Sequence, residues 1–248
     1  AVFGRLPDSE SAYPPMTLVS ASRTTAGWTN ASVRTPYPEL SRTVFGFVYL
    51  GPEEVSPDLD TSLWTNPLPL QPGAAANGFG LFRRDPSGSF ELLGDIGANA
   101  SFSGASRDMR HAVFASDKHL LPADSGRTGG QSIYEFVGSE LRLVDVDGTG
   151  LPLSPCGSSV PPRDAVSEDG RRIFFVTHPS CSGPARVFLR EDGQRTTEVS
   201  ASRCDLADCG TEMDVSFLGA TPDGAVAFLL TAQRLTDGDT NAHDDLYR

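Results

Sequence analysis

The chain has 248 residues, enough for one sizeable all-β domain. Its formal charge of −12 weighs against a nucleic-acid surface, which needs clustered Lys and Arg to release counterions. Gly (25) and Pro (19) suit many turns between short strands rather than long helices, and the richest apolar runs, residues 44–50 and 225–232, are strand length, too short to span a bilayer.

Residues 1–39 are rich in Pro, Ser and Thr and read as an irregular arm or the remnant of a preceding unit. The chain opens with neither Met nor a basic segment leading into an apolar one, so any signal peptide is expected to have been removed or to lie outside this sequence. Residues 43–50 form an apolar run placed where a degenerate first strand copy would fall. Residues 51–78, rich in Pro, Asp, Asn and Gly, read as a long loop.

A corner then recurs. Ser106-Arg107-Asp108-Met109, Ser167-Glu168-Asp169-Gly170 and Thr221-Pro222-Asp223-Gly224 each precede an apolar, β-branched and aromatic run. An Asp before a Gly tolerates the left-handed backbone of a tight turn, and the run after it suits a buried strand, so Asp108, Asp169, Gly170, Asp223 and Gly224 are assigned as structural turn residues. The Asp repeats at 169−108=61 and 223−169=54 residues. A second marker, the aromatic of an aliphatic-aromatic strand (Phe82, Tyr134, Phe188, Tyr247), repeats at 52, 54 and 59. Two interleaved markers at one approximate period predict stacked or radially arranged units, each of three or four antiparallel strands. The units are expected near 40–104, 105–165, 166–219 and 220–248, the last incomplete.

Four cysteines, Cys156, Cys181, Cys204 and Cys209, permit three pairings, and spacing does not choose among them. Cys204 with Cys209 and Cys156 with Cys181 is the preferred pairing, which implies an oxidising compartment. Zinc is disfavoured, because there is no Cys-x-x-Cys and the four His lack ligand spacing. The segment 237–245 offers oxygen ligands at alternate positions, Asp237, Asp239 and Asn241, with Asp245 as a later carboxylate. That pattern suits calcium, although Ala242 stands where an EF-hand loop has its sharp-turn Gly. The competing reading is a turn in which Asp and Asn cap backbone groups.

The Ser-x-Asp-Gly corner before an apolar strand, followed by an Asp-Ile-Tyr-like strand, resembles the blades of TolB-like and WD-repeat-like (PD40-type) bacterial β-propellers. Residues 235–248, with Gly238-Asp239-Thr240-Asn241 and Asp245-Leu246-Tyr247-Arg248, resemble a segment of exported members. The resemblance implies an all-β propeller of the six-bladed type, of which this chain covers about three to four blades as a piece of a longer ring. It also implies an extracytoplasmic location, periplasmic, secreted or at the cell surface, and a protein or cell-envelope partner.

No Gly-x-Ser-x-Gly nucleophile elbow is present, and a corner repeated in every unit is structural, not catalytic. His111 reads as an edge or core residue rather than a base. The expected function is therefore a non-catalytic exported propeller that binds or scaffolds protein. The alternative is the propeller portion of an exported, prolyl-oligopeptidase-like hydrolase whose catalytic domain lies outside these residues.

Overall fold

In a computed structural model of the protein, residues 2–4, 17–25, 27–32, 52–67, 70–71, 79–206, 209 and 211–248 are described. The run 43–50, read above as a first strand copy, lies outside them. The chain divides into two compact units, residues 1–95 and 96–248. The described strands form five antiparallel sheets, and four of these carry the blade pattern. The fold is all-β, built from the small sheets of a β-propeller.

In the first unit, β1 (Val2–Gly4), β2 (Thr17–Thr24) and β3 (Gly27–Ser32) form a three-stranded sheet. A four-stranded sheet follows, ordered β4 (Glu54–Val55), β5 (Ser62–Asn66), β6 (Gly80–Arg84), β7 (Phe90–Asp95). Two of its strands, β4 and β5, fall in the stretch expected as loop. Leu63 and Trp64 are buried side by side in β5, so the strand lacks the polar alternation of a half-buried one. Trp64, Leu70 and Phe82 form a core with Phe90 and Leu92, and the Trp64 and Phe90 rings meet edge to face at 5.7 Å.

The second unit holds three sheets. The first runs β8 (Ser101–Ala105), β9 (His111–Ser116), β10 (Ser132–Val137), β11 (Glu140–Leu143), with a short 3-10 turn at Pro122–Gly126 between β9 and β10. The second runs β12 (Ser158–Ser159), β13 (Arg172–Thr177), β14 (Arg186–Glu191), β15 (Arg195–Glu198). The third is β16 (Ser216–Ala220), β17 (Ala227–Thr231), β18 (Asp245–Tyr247).

These sheets pack face to face. Val113, Ile133 and Val144 of the first meet Ile173, Phe175 and Phe188 of the second. Val187 of the second meets Val215, Leu229 and Leu235, while Phe174 and Phe217 bring their rings to 5.0 Å. Each fully buried Val, Ile, Leu or Phe contributes about 1.5–3 kcal/mol, so the faces between sheets hold the unit together. Among the described residues no helix is long and apolar enough to cross a membrane.

The corner joins the first two strands of a sheet, and its hydrogen bonds are the same in every copy. In the copy opening at Ser167, Ser167 Oγ donates to Asp169 Oδ1 at 2.6 Å and accepts from the amide of Arg172 at 3.0 Å. Asp169 Oδ1 also accepts from the amide of Arg171 at 3.0 Å, and Gly170 N donates to Ser167 O at 2.8 Å. Ser106 with Asp108 and Thr221 with Asp223 repeat the set. A fourth copy opens at Ser56: its Oγ donates to Asp58 Oδ1 at 2.5 Å and accepts from Thr61 N at 3.0 Å. The residue after the Asp is left-handed in all four, with φ of 65° at Leu59, 57° at Met109, 72° at Gly170 and 65° at Gly224.

Candidate functional site

A cleft of about 300 Å³ lies between the first two sheets of the second unit, lined by His111, Glu135, Arg142, Gly170, Arg171, Asp192 and Gly193. Strand register builds one wall. Arg142 of β11 stands opposite Glu135 of β10, and Glu135 lies diagonal to His111, whose partner in the ladder is Val137. His111 Nδ1 and Glu135 Oε1 are 2.6 Å apart, with the Glu135 side chain 5% exposed. The hydrogen bond from the imidazole to the Glu135 carboxylate holds the His111 pKa above its ordinary value, while burial opposes it.

The corner and a hairpin of the next sheet make the other wall. Arg171 Nε donates to Asp192 Oδ1, and the Asp192 amide donates to Arg171 O at 2.7 Å. Asp192 and Gly193 are both left-handed, as the tight β14–β15 turn requires. Gly170 seats on the imidazole: a Cβ there would lie 2.3 Å from the His111 ring. This close approach, more than backbone freedom alone, fixes glycine in that corner.

Behind the hairpin, buried Arg190 donates to Gly193 O at 2.7 Å and to Thr196 Oγ1 at 2.8 Å, anchoring the turn. Burial pulls its pKa below the ordinary guanidinium value, and Glu135 opposes that shift. Arg142 is held bidentate by Glu140 through Nε and Nη2 at 3.0 and 2.9 Å, which leaves Nη1 beside Gly193. The lining carries three basic side chains and two carboxylates, with no Ser or Cys nucleophile. Its side chains offer a charged group guanidinium donors and a His–Glu pair.

The residues expected to gather around calcium each have another partner. Asp237 Oδ1 accepts the amide of Asp205 at 2.8 Å. Asp239 Oδ1 accepts the amide of Asn241 at 3.0 Å, and its Oδ2 accepts the Tyr247 hydroxyl at 2.5 Å. Asn241 Oδ1 accepts the amide of His243 at 2.7 Å, and its Nδ2 donates to Asp245 at 3.1 Å. Asp239 has a counterpart in Asp124, which is fully buried and accepts from the Tyr134 hydroxyl, Ser132 Oγ and the Arg127 guanidinium. In both sheets a loop Asp thus pins the tyrosine of the third strand. The cysteines pair as Cys156–Cys181 and Cys204–Cys209, with Cα separations of 5.5 and 5.8 Å.

Among the described residues, four of the five sheets open with the corner, two carry a loop Asp under the third-strand tyrosine, and the three sheets of the second unit stack face to face. The chain is similar to TolB-like β-propellers. TolB from Acinetobacter baumannii aligns with 96% of this chain and 51% of its own, at 14% identity and a TM-score of 0.42. The β-propeller domain of the trilobed protease from Pyrococcus furiosus aligns with 96% of this chain and 62% of its own, at 13% identity and a TM-score of 0.47. A prolyl endopeptidase aligns with 83% of this chain and 28% of its own, at 17% identity and a TM-score of 0.47. The chain thus spans less than two thirds of the length of each. No protein-family model matches the sequence, and no curated protein matches it.

The corners carry a repeated Ser/Thr-x-Asp pattern in the sequence, and the cleft carries no motif. His111 reads as a strand residue because it opens an apolar run, and Glu135 sits mid-strand between Tyr134 and Phe136. The available signal was charge inside a strand. A carboxylate at the centre of an otherwise apolar run needs a partner, and the neighbouring strand carries a histidine two positions off register.

Proposed function

We propose that the chain is a non-catalytic, exported β-propeller module that binds a protein segment, with the cleft between the first two sheets of the second unit receiving a carboxylate of that segment. The observation that carries this reading is the pair of arginines, Arg142 and Arg171, on opposite walls of a cleft without a nucleophile. Each is oriented by its own carboxylate, Glu140 or Asp192, and neither pair uses all the guanidinium donors. The guanidinium donors left over from these pairs are what the cleft offers an acidic group. The two disulfides support export, since such bonds persist in oxidising compartments.

The test is fluorescence anisotropy with labelled peptides that differ only in a Glu or its Gln amide. Acidic peptides are expected to bind at least ten-fold more tightly, and Arg171→Ala or Arg142→Ala to remove most of that difference. Equal binding of acid and amide would overturn the cleft as the recognition site.

A further inference from the structure

Two loops of the second unit meet through hydrogen bonds that do not involve sulfur. In the loop between β15 and β16, Arg203 N donates to Leu235 O at 2.9 Å and Ser202 Oγ to Arg234 O at 2.7 Å. The amide of Asp205 donates to Asp237 Oδ1 at 2.8 Å, and Cys209 N closes a turn onto Leu206 O at 3.2 Å. The carboxylate of Asp237 is thereby held against the Cys204–Cys209 disulfide. One ligand atom from each of Cys204, Cys209 and Asp237 lies within 4.8 Å of the other two, and among the described residues no other His, Cys, Asp or Glu trio is so close. Both cysteines are half-buried and Asp237 is exposed, so the group is open to solvent.

We propose that reduction of the Cys204–Cys209 disulfide opens a site for one zinc ion, ligated by the two thiolates and the Asp237 carboxylate, with water in the fourth position. A dithiol reductant gives two electrons and two protons to the disulfide and becomes a cyclic disulfide, leaving two cysteine thiols. Zinc binding releases both thiol protons, and two thiolates plus one carboxylate around the dication leave a single net negative charge. Two sulfurs each about 2.3 Å from zinc in a tetrahedral site lie about 3.8 Å apart, a spacing open to two cysteines whose Cα atoms are 5.8 Å apart. The amide of Asp205 on Oδ1 orients the carboxylate as an outer partner of a metal ligand does. The absence of Cys-x-x-Cys spacing hides the site in the sequence, because its third ligand comes from the loop before β18.

The experiment uses the full chain, reduced with dithiothreitol, desalted under argon and titrated with zinc, while alkylation of each cysteine is followed by mass spectrometry. The second cysteine pair, Cys156 and Cys181, serves as the internal control. Zinc is expected to slow alkylation of Cys204 and Cys209 at least ten-fold without protecting Cys156 or Cys181. Asp237→Asn is expected to weaken zinc at least ten-fold, and the oxidised chain to retain none. Cadmium in place of zinc should give a thiolate charge-transfer band that the double variant Cys204→Ser/Cys209→Ser lacks. Equal protection of all four cysteines would overturn the proposal, as would unchanged affinity in Asp237→Asn or zinc retained by the double variant. Loss of the far-ultraviolet β-sheet signal on reduction would also sink it, because the site needs Asp237 held in place.

Discussion

The backbone amide of Glu168 donates to the carbonyl of Pro222 at 2.7 Å, one corner reaching to the next. The amide of Arg107 does the same to the carbonyl of Glu168, also at 2.7 Å. Among the three corners of the second unit, the second residues thus link adjacent sheets, while the fourth residues Gly170 and Gly224 seat on a side chain of the sheet before, His111 or Arg172. Gly170→Ala should therefore be costly, since it combines a left-handed backbone with a Cβ 2.3 Å from the imidazole ring. A loss of about 2 kcal/mol or more is expected in urea unfolding.

Leu59→Gly should act in the opposite direction. Leu59 occupies the equivalent left-handed position at φ 65° and is 40% exposed, so little packing is lost with its side chain. Relief of the strained backbone, partly offset by unfolded-state entropy, should raise stability by about 0.5–1 kcal/mol. A lower urea midpoint in Leu59→Gly would contradict the shared corner geometry.

That same residue explains what the sequence concealed. Asp-Gly pairs exposed the corners at Asp169 and Asp223, and the apolar run after Asp108 exposed a third despite Met109. The corner at Asp58 lacks both cues: Leu59 replaces the glycine, and the strand that follows is only Ser62–Asn66, set among prolines. A hydrogen-bond frame of Ser Oγ, Asp Oδ1 and two amides tolerates a non-Gly residue at modest cost, so a pattern keyed on glycine misses it. The cleft was hidden for another reason, because its walls come from two different sheets: strand register builds the first, and the seating of Gly170 on His111 brings up the second.

Asp145 gives the clearest dependence on pH. Burial pushes its pKa up to about 6, while its Oδ1 accepts the amide of Ile133 at 3.1 Å. Because the folded-state pKa lies above the unfolded value, the folded chain binds more protons between about pH 4 and pH 6, and stability falls as pH rises through that window. Asp145→Asn, which keeps an acceptor for Ile133, should be more stable than the parent by about 2 kcal/mol at pH 7.5 and indistinguishable at pH 4. Thermal melts of both proteins at the two pH values make the comparison.

The His111–Glu135 pair carries the same sign of pH dependence, because the His111 pKa is also raised in the folded state. A histidine whose pKa is raised in the folded state contributes stability that is present below its unfolded pKa and is lost as pH climbs through the higher folded value. His111→Gln should cost about 1.5 kcal/mol at pH 5.5 and clearly less at pH 9, as read from urea midpoints. A cost independent of pH would assign His111 a packing role under Gly170 and no charge on the imidazole.

The loop before β18 can be probed through Tyr247, whose pKa is pushed up to about 12 by burial and by its bond to Asp239. Tyr247→Phe deletes only the hydroxyl and should cost about 1–2 kcal/mol in calcium-free buffer, because it leaves Asp239 Oδ2 without that donor. If the loop instead uses Asp237, Asp239, Asn241 and Asp245 as calcium ligands, millimolar calcium must compete with the amides of Asp205, Asn241 and His243 that already hold three of them. The hydrogen-bonded loop predicts the same melting temperature with and without calcium, and a calcium-dependent rise abolished by Asp239→Asn would show that the metal displaces those donors.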